Sequence, residues 1–223
     1  MSDSATRLAI FAKVPRLGQV KTRLEPMFGA EGCLLLHQCL IEQAIELASN
    51  WSLGPVELWL ADELQEGDLR LDVPSSVSIK YQEGKDLGMR MQYALQSAVS
   101  GGDSVVLIGT DSPQQKLSHL EEAASLLEAD THIVVQPAFD GGFVLIGCST
   151  MVPDMSAGID WGTERVFDQL QEELSKQSLS CLKIETISDL DIKEDILLLQ
   201  EDKDSFLSSF YVRLELQKNL LTS

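Results

Sequence analysis

The chain has 223 residues, a formal net charge of -18 and 44% apolar residues. That length buries a substantial core, and the composition excludes an intrinsically disordered chain. The acidity argues against general nucleic-acid binding, because a polyanion would be repelled, and no apolar run reaches the roughly eighteen residues of a transmembrane helix.

The opening stretch, MSDSATRLAIFAK, has no basic segment ahead of its short apolar run and no small-residue cleavage site. The expectation is therefore a cytoplasmic protein without a signal peptide. Leu8–Ala12 reads as a first strand. Five of the 17 Lys and Arg lie in the first 24 residues (Arg7, Lys13, Arg16, Lys21 and Arg23), against one acid, Asp3. Such a patch is either a site for a small anion or a chance cluster on a solvated face. Glu31–Ser49 has helical spacing, Val56–Ala61 reads as a second strand and Ile79–Gln82 as a third. Leu87–Val99 is helical in pattern, and Val105–Ile108 is a central strand by its unbroken apolar character. Ser118–Ala129 reads as a helix, with Ser118 and Glu121 at capping-box spacing. Ile133–Val135 and Phe143–Ile146 are strands around a Gly-rich turn. Thr163–Leu174 (helix), Cys181–Ile187 (strand) and Glu194–Gln200 (helix) follow, and the last twenty residues read as helical or loosely docked.

Strands alternating with helices predict a mostly parallel sheet covered on both faces, within a single domain spanning 1–223. Ligands of such sheets sit at the carboxyl ends of the strands. The four cysteines (Cys33, Cys39, Cys148, Cys181) form no CxxC pair and read as buried free thiols.

Five stretches could carry chemistry. Lys13 to Leu24 turns the chain at Pro15 and Gly18 and then supplies cations, which suits phosphate oxygens or a plain surface turn. It is not a Walker loop, since Val20 stands where Gly must precede Lys. In LIGTDSP a buried strand delivers Asp111 to its end. One or two carboxylates plus substrate phosphates usually hold Mg²⁺, although Asp before Pro113 also suits a strand-ending turn. Asp140-Gly141-Gly142 is a hairpin signal that also allows close approach of a ligand. In DWGTE, Thr163 can cap a helix, and Trp161 is either a core residue or a stacking platform. In DLDIKED, Asp191 and Glu194 have capping-box spacing, and Asp191 is alternatively a second metal ligand. His37, His119 and His132 have no ligand spacing and read as structural. A GxSxG nucleophile elbow is absent, so a Ser–His–Asp hydrolase is unsupported.

Together, PxxGxVKTRL, DLGxRM (Asp86–Met91), GTDSP, PAxDGGF, WGTExV and DLDxxED resemble the nucleotide-diphospho-sugar transferase superfamily. Within it the match is to the cofC-like, or radical-SAM/selenodomain-associated, transferases, whose label is glycosyltransferase. The resemblance spans residues 8 to 195. It implies a three-layer α/β/α sandwich of the GT-A type, with a mostly parallel, mixed central sheet. It implies nucleotide and phosphate contacts from Ala12, Lys13, Gly18, Lys21, Arg23, Gly88 and Arg90, with Lys21 and Asp111 catalytic. It implies Mg²⁺ or Mn²⁺ at Asp111 and Asp191, and a sugar or acceptor side at Asp140, Gly141, Gly142 and Trp161. The sequence departs from the family at Gln114-Gln115, Gln136, Phe143 and Ile192.

The implied reaction is metal-dependent glycosyl transfer from a nucleotide sugar to a small acceptor, which rests on the family label. The alternative is nucleotidyl transfer from an NTP to a phosphorylated small molecule. The N-terminal cations lean toward it, because a triphosphate carries more charge than a sugar diphosphate. A non-catalytic nucleotide-binding protein is the third reading.

Overall fold

A computed structural model describes residues 5–66, 68, 71–129, 131–201 and 205–221, leaving aside the side chains of 201, 220 and 221. Asp3 lies outside these residues. The strands are β1 (Thr6–Ala12), β2 (Val56–Leu60), β3 (Val77–Tyr81), β4 (Ser104–Gly109), β5 (Ile133–Pro137), β6 (Phe143–Cys148) and β7 (Cys181–Lys183). The helices are α1 (Glu25–Ala48), α2 (Leu87–Val99), α3 (Leu117–Glu128), α4 (Val166–Lys176), α5 (Lys193–Glu201) and α6 (Ser205–Leu221). The seven strands form one sheet in the order β3-β2-β1-β4-β6-β5-β7. All neighbours are parallel except β6, which runs antiparallel to both β4 and β5.

Side chains alternate across a strand, so each central strand feeds two cores. On one face Leu8, Ile10, Leu58, Val106 and Ile108 pack against Ile41 and Ile45 of α1 and Leu120 and Leu127 of α3. On the other, Ala9, Phe11, Trp59 and Leu107 pack against Met91 and Leu95 of α2 and Leu170 and Leu174 of α4. This is the three-layer α/β/α sandwich that the sequence implied. Helices α5 and α6 lie outside the sandwich, where Ile196, Leu199, Phe206 and Phe210 cover Leu36 and Leu40 of α1. Burying one such Leu contributes roughly 1.5–3 kcal/mol.

Several local expectations change. Helix α3 starts at Leu117, and its first turn is closed by the Lys116 N–H donating to His119 Nδ1 at 3.4 Å rather than by Ser118. Helix α4 starts three residues after Thr163, whose hydroxyl accepts from the Arg165 N–H. Strand β7 is only three residues long; beyond it the chain touches the sheet again at the Ile184 and Ile187 N–H groups, which donate to Val135 and Pro137. Helix α1 begins six residues before Glu31, through a break at Gly29 where φ is +68°. Of the four cysteines, Cys33, Cys39 and Cys148 are buried free thiols and Cys181 is partly buried. Among the described residues, no helix is long and apolar enough to cross a membrane.

Candidate active site

The carboxyl ends of β1 and β4 open into a cleft of about 720 Å³. Each strand turns away sharply there: β1 into the Lys13–Val20 loop and β4 into Thr110-Asp111-Ser112-Pro113. The adjacent parallel strands therefore part, and ligand space opens between them.

Lys21 organises the floor. Its backbone is left-handed, at φ 49° and ψ 34°. A non-glycine residue rarely adopts that conformation, so the loop is held by what its side chain does. The ammonium is paired with the Asp111 carboxylate, donates to Asp191 Oδ1 at 2.8 Å and donates to the Leu190 carbonyl at 2.6 Å. The Lys21 side chain is 5% exposed, whereas those of Asp111 and Asp191 are 50% and 43% exposed. Burial works against the charge on Lys21, but the two carboxylates outweigh it and raise the Lys21 pKa. Desolvation likewise works against the Asp111 charge, and Lys21 outweighs it, so the Asp111 pKa is lowered. Arg23 reaches Asp191 Oδ2 from 4.0 Å. Nearby, burial first and then the charges of Asp140 and Asp191 push the Asp189 carboxyl up to about 7.

The tail reaches the site through specific bonds. The Leu190 N–H donates to the Asp111 carbonyl at 2.8 Å. The Ser112 hydroxyl donates to the Ser188 carbonyl at 2.6 Å. The capping-box expectation at Asp191 is corrected here. Asp195 Oδ2 accepts from the N–H groups of both Asp191 and Ile192, so Asp195 caps the start of α5 and the Asp191 side chain stays in the cleft.

The cleft brings together Ala12, Lys13, Lys21, Arg23, Arg90, Asp111, Asp140, Gly142, Trp161 and Asp191. Gly18, Gly88 and Gly141 are not among the residues that line it. Gly18 turns the loop at φ +70°. Gly88 lies behind Trp161, where an added Cβ would meet the indole ring at 2.5 Å. Gly141, at φ +89°, packs against Glu164, whose carbonyl oxygen would lie 1.9 Å from a Cβ. Gly88 and Gly141 make room for the parts of the chain behind the cleft. Trp161 packs edge-on to Phe143 with ring centroids 6.2 Å apart. Asp140 Oδ1 accepts from the Gly142 N–H at 2.8 Å, which fixes the turn and leaves Oδ2 for the cleft.

Two of the five N-terminal cations are used elsewhere. Arg7 pairs with Asp103 and Glu57. Arg16 pairs with Asp68 and Asp62. The anion patch read from the sequence is thus reduced to Lys13, Lys21 and Arg23, joined by Arg90 from α2.

His37, read as structural, lines the cleft. It is 3% exposed, and Nε2 lies 3.0 Å from the Lys13 carbonyl, so Nε2 carries the proton. Burial lowers its pKa against the pull of that carbonyl, leaving a neutral ring with Nδ1 unpartnered. The signal was present in the sequence: His37 stands four and seven residues before Ile41 and Ala44, on the stripe of α1 that faces the sheet. Gln82, also outside the sequence motifs, closes the far wall by donating to the Trp59 carbonyl at 2.9 Å.

Among the described residues, no three His, Cys, Asp or Glu side chains are arranged to hold a metal. Asp111 and Asp191 are a two-carboxylate donor set. That set fits a hard divalent ion that takes its remaining ligands from phosphate and water.

The chain matches a family described as an uncharacterized protein conserved in bacteria (DUF2064) over residues 44–163. No curated protein matches it. A solved structure from Desulfovibrio desulfuricans G20, provisionally described as a nucleotide-diphospho-sugar transferase, is 27% identical; the match covers 99% of this chain and 97% of that one, with a TM-score of 0.82. The fold, at 10% identity, is shared with a CMP:2-keto-3-deoxy-manno-octonic acid synthetase complexed with CTP, over 89% of this chain and 100% of that one at a TM-score of 0.55. A 4-diphosphocytidyl-2C-methyl-D-erythritol synthase from Anaerococcus prevotii DSM 20548 shares it at 8% identity, 88% and 97% coverage and a TM-score of 0.52.

Proposed function

This chain belongs to the DUF2064 family, and from that premise we propose that it is a single-domain, divalent-metal-dependent transferase that moves a sugar from a nucleotide sugar to a small acceptor. The observation that carries the reading is the triad at the strand ends, Lys21 between Asp111 and Asp191, at the base of a cleft with aromatic and acidic walls. The similarity to the Desulfovibrio protein supports the donor class.

The residues divide the work by chemistry. Lys13, Arg23 and Arg90 meet the diphosphate, with Arg able to pair bidentately. Asp111 and Asp191 would hold Mg²⁺ or Mn²⁺, which when bound neutralises charge on the leaving diphosphate. Trp161 and Phe143 offer apolar surface to a sugar ring, and Asp140 Oδ2 accepts from hydroxyls. In the transfer, an acceptor oxygen or other nucleophile bonds to the anomeric carbon. The bond from that carbon to the diphosphate breaks, and the electron pair leaves with the nucleoside diphosphate. Asp140, on the acceptor side, would receive the acceptor's proton.

The cation count favours this reading over nucleotidyl transfer. With Arg7 and Arg16 paired away, the cations left in the cleft besides Lys21 are Lys13, Arg23 and Arg90, a set that suits a sugar diphosphate better than a triphosphate. The nucleotidyl reading keeps its support from the named activities of the two cytidylyl-type fold neighbours.

The test is a panel of nucleotide sugars and NTPs with candidate acceptors, in Mg²⁺ and in Mn²⁺. Release of nucleoside diphosphate from a nucleotide sugar is the expected result. Pyrophosphate release from an NTP would replace it with nucleotidyl transfer, and binding without turnover in either arm would leave a nucleotide-binding protein.

A further inference from the structure

We propose that Lys21 is the resident cation of the Asp111–Asp191 pair, and that a divalent ion gains this pair only when phosphate draws the ammonium away. The inference rests on the reading of the cleft as a metal-assisted nucleotide site, and concerns the order in which that site fills.

Three observations carry it. First, the ammonium already occupies the place a cation would take. It contacts Asp111 and Asp191 Oδ1 together, with the Leu190 carbonyl as a third oxygen. A cation held by oxygen atoms from two carboxylates and one carbonyl is the donor pattern of a hard-ion site filled by a side chain. Second, the arrangement is buried on the lysine side and open on the carboxylate side. Lys21 is 5% exposed, while Asp111 and Asp191 are about half exposed. A metal can therefore approach the carboxylates from the cleft, but must compete with a desolvated, three-bonded ammonium to use them both. Third, cations able to hold a phosphate lie close to the ammonium. Arg23 stands two residues on, and Lys13 lines the same cleft. A phosphate bound among these cations would offer Lys21 new oxygens as the metal takes the old ones.

The exchange balances in charge. Asp111, Asp191 and the ammonium sum to one negative charge, which Arg23, 4.0 Å from Asp191, offsets. Adding a divalent ion beside the unmoved ammonium would leave the cluster net positive, with cations in contact. Adding it together with a diphosphate removes that conflict. Metal and phosphate then strengthen one another, and linkage makes the effect reciprocal.

The test is Mn²⁺ alone, with no nucleotide present, titrated into wild type and Lys21→Met and followed by the electron paramagnetic resonance signal of free Mn²⁺. We expect Lys21→Met to bind Mn²⁺ at least about tenfold more tightly than wild type, the factor that 1.4 kcal/mol represents. Lys21→Gln, which keeps a donor but loses the charge, should behave like Lys21→Met. Because either variant leaves Asp111 and Asp191 without the ammonium between them, its melting temperature is measured with and without Mn²⁺. The ion should raise it in both variants and leave wild type nearly unchanged. If the variants bind Mn²⁺ no more tightly than wild type and gain no thermal stability from it, Lys21 does not guard the site. This readout uses no sugar, nucleotide or turnover. A failure to find glycosyl transfer therefore leaves it standing, and its own failure leaves the product assay to judge the reaction.

Discussion

The Leu190 N–H donates to the Asp111 carbonyl at 2.8 Å, tying the tail of the chain to the end of β4. The bond places Asp191, one residue on, opposite Asp111 and leaves both carboxylates for Lys21. Ser112 adds a second tie, to the Ser188 carbonyl. Neither tie uses a carboxylate, so the carboxylates are positioned without being occupied by their own scaffold.

Asp111→Asn should fold and lose the reaction. The amide is close in shape but cannot match the Lys21 charge or serve a hard cation as a carboxylate does. A loss of at least about a hundredfold in metal-dependent turnover is expected, since metal-assisted charge stabilisation is worth several kcal/mol. Wild-type turnover in Mg²⁺ or Mn²⁺, with circular dichroism unchanged, would remove Asp111 from the mechanism.

Ser112→Ala should act through position. It strands the Ser188 carbonyl and costs about 1 kcal/mol in urea unfolding. Because the Leu190 bond remains, kcat/KM should fall only roughly tenfold, short of the hundredfold that a 1 Å misplacement can cost. An unchanged kcat/KM would mean that the Leu190 bond alone holds Asp191 in register.

Gly88→Ala should show itself at Trp161. The new methyl would stand 2.5 Å from the ring, so the indole must shift and loosen its packing on Phe143. Overpacking of this kind costs about 1–3 kcal/mol. Trp51 and Trp59 are 7% and 3% exposed, so the expected red shift in tryptophan emission is assigned to Trp161 by its loss in a Trp161→Phe background. An unshifted spectrum with unchanged stability would show that the wall yields without moving the ring.

The Arg16–Asp68 pair has an acid limit. Arg16 foremost, with the Gln65 N–H, holds the Asp68 carboxyl down to about 2. The folded value lies below the ordinary carboxylate value of about 3.9, so the pair's contribution is complete above about pH 4 and is lost as pH falls toward 2. A carbon-detected NMR titration should place the Asp68 midpoint near 2, and Arg16→Gln should return it to the ordinary carboxylate range. A midpoint that does not move in the variant would mean that Arg16 does not hold this carboxylate in solution.

The sandwich was legible because its central strands are unbroken apolar runs and its helices carry periodic stripes. The assembly of the site was legible only in part. DLDIKED offers four acids, and any could cap a helix; Asp195 does so because Asp191 is claimed by Lys21, 170 residues away. The left-handed backbone at Lys21 has no sequence signature, since neither Gly nor Asn stands there. The cation cluster overstated the phosphate site because Arg7 and Arg16 find acids on β2, before β4 and between β2 and β3. The resemblance implies that Gly88 and Gly141 face the ligand, yet each makes room for a neighbouring part of the chain. Local pattern identifies which residues matter more readily than what they touch.

The pairing of Lys21 with Asp191 also constrains how the protein is made. A ribosome delivers β1 and Lys21 first, β4 with Asp111 next, and Asp191 last of the three. Domains fold as units during synthesis, and contacts distant in sequence form slowly. Until the Leu190 bond closes, the ammonium has one carboxylate instead of two, and the outer face of α1 lacks α5 and α6. A nascent chain halted before the tail would thus expose an apolar helix face to other chains, and would hold half a site.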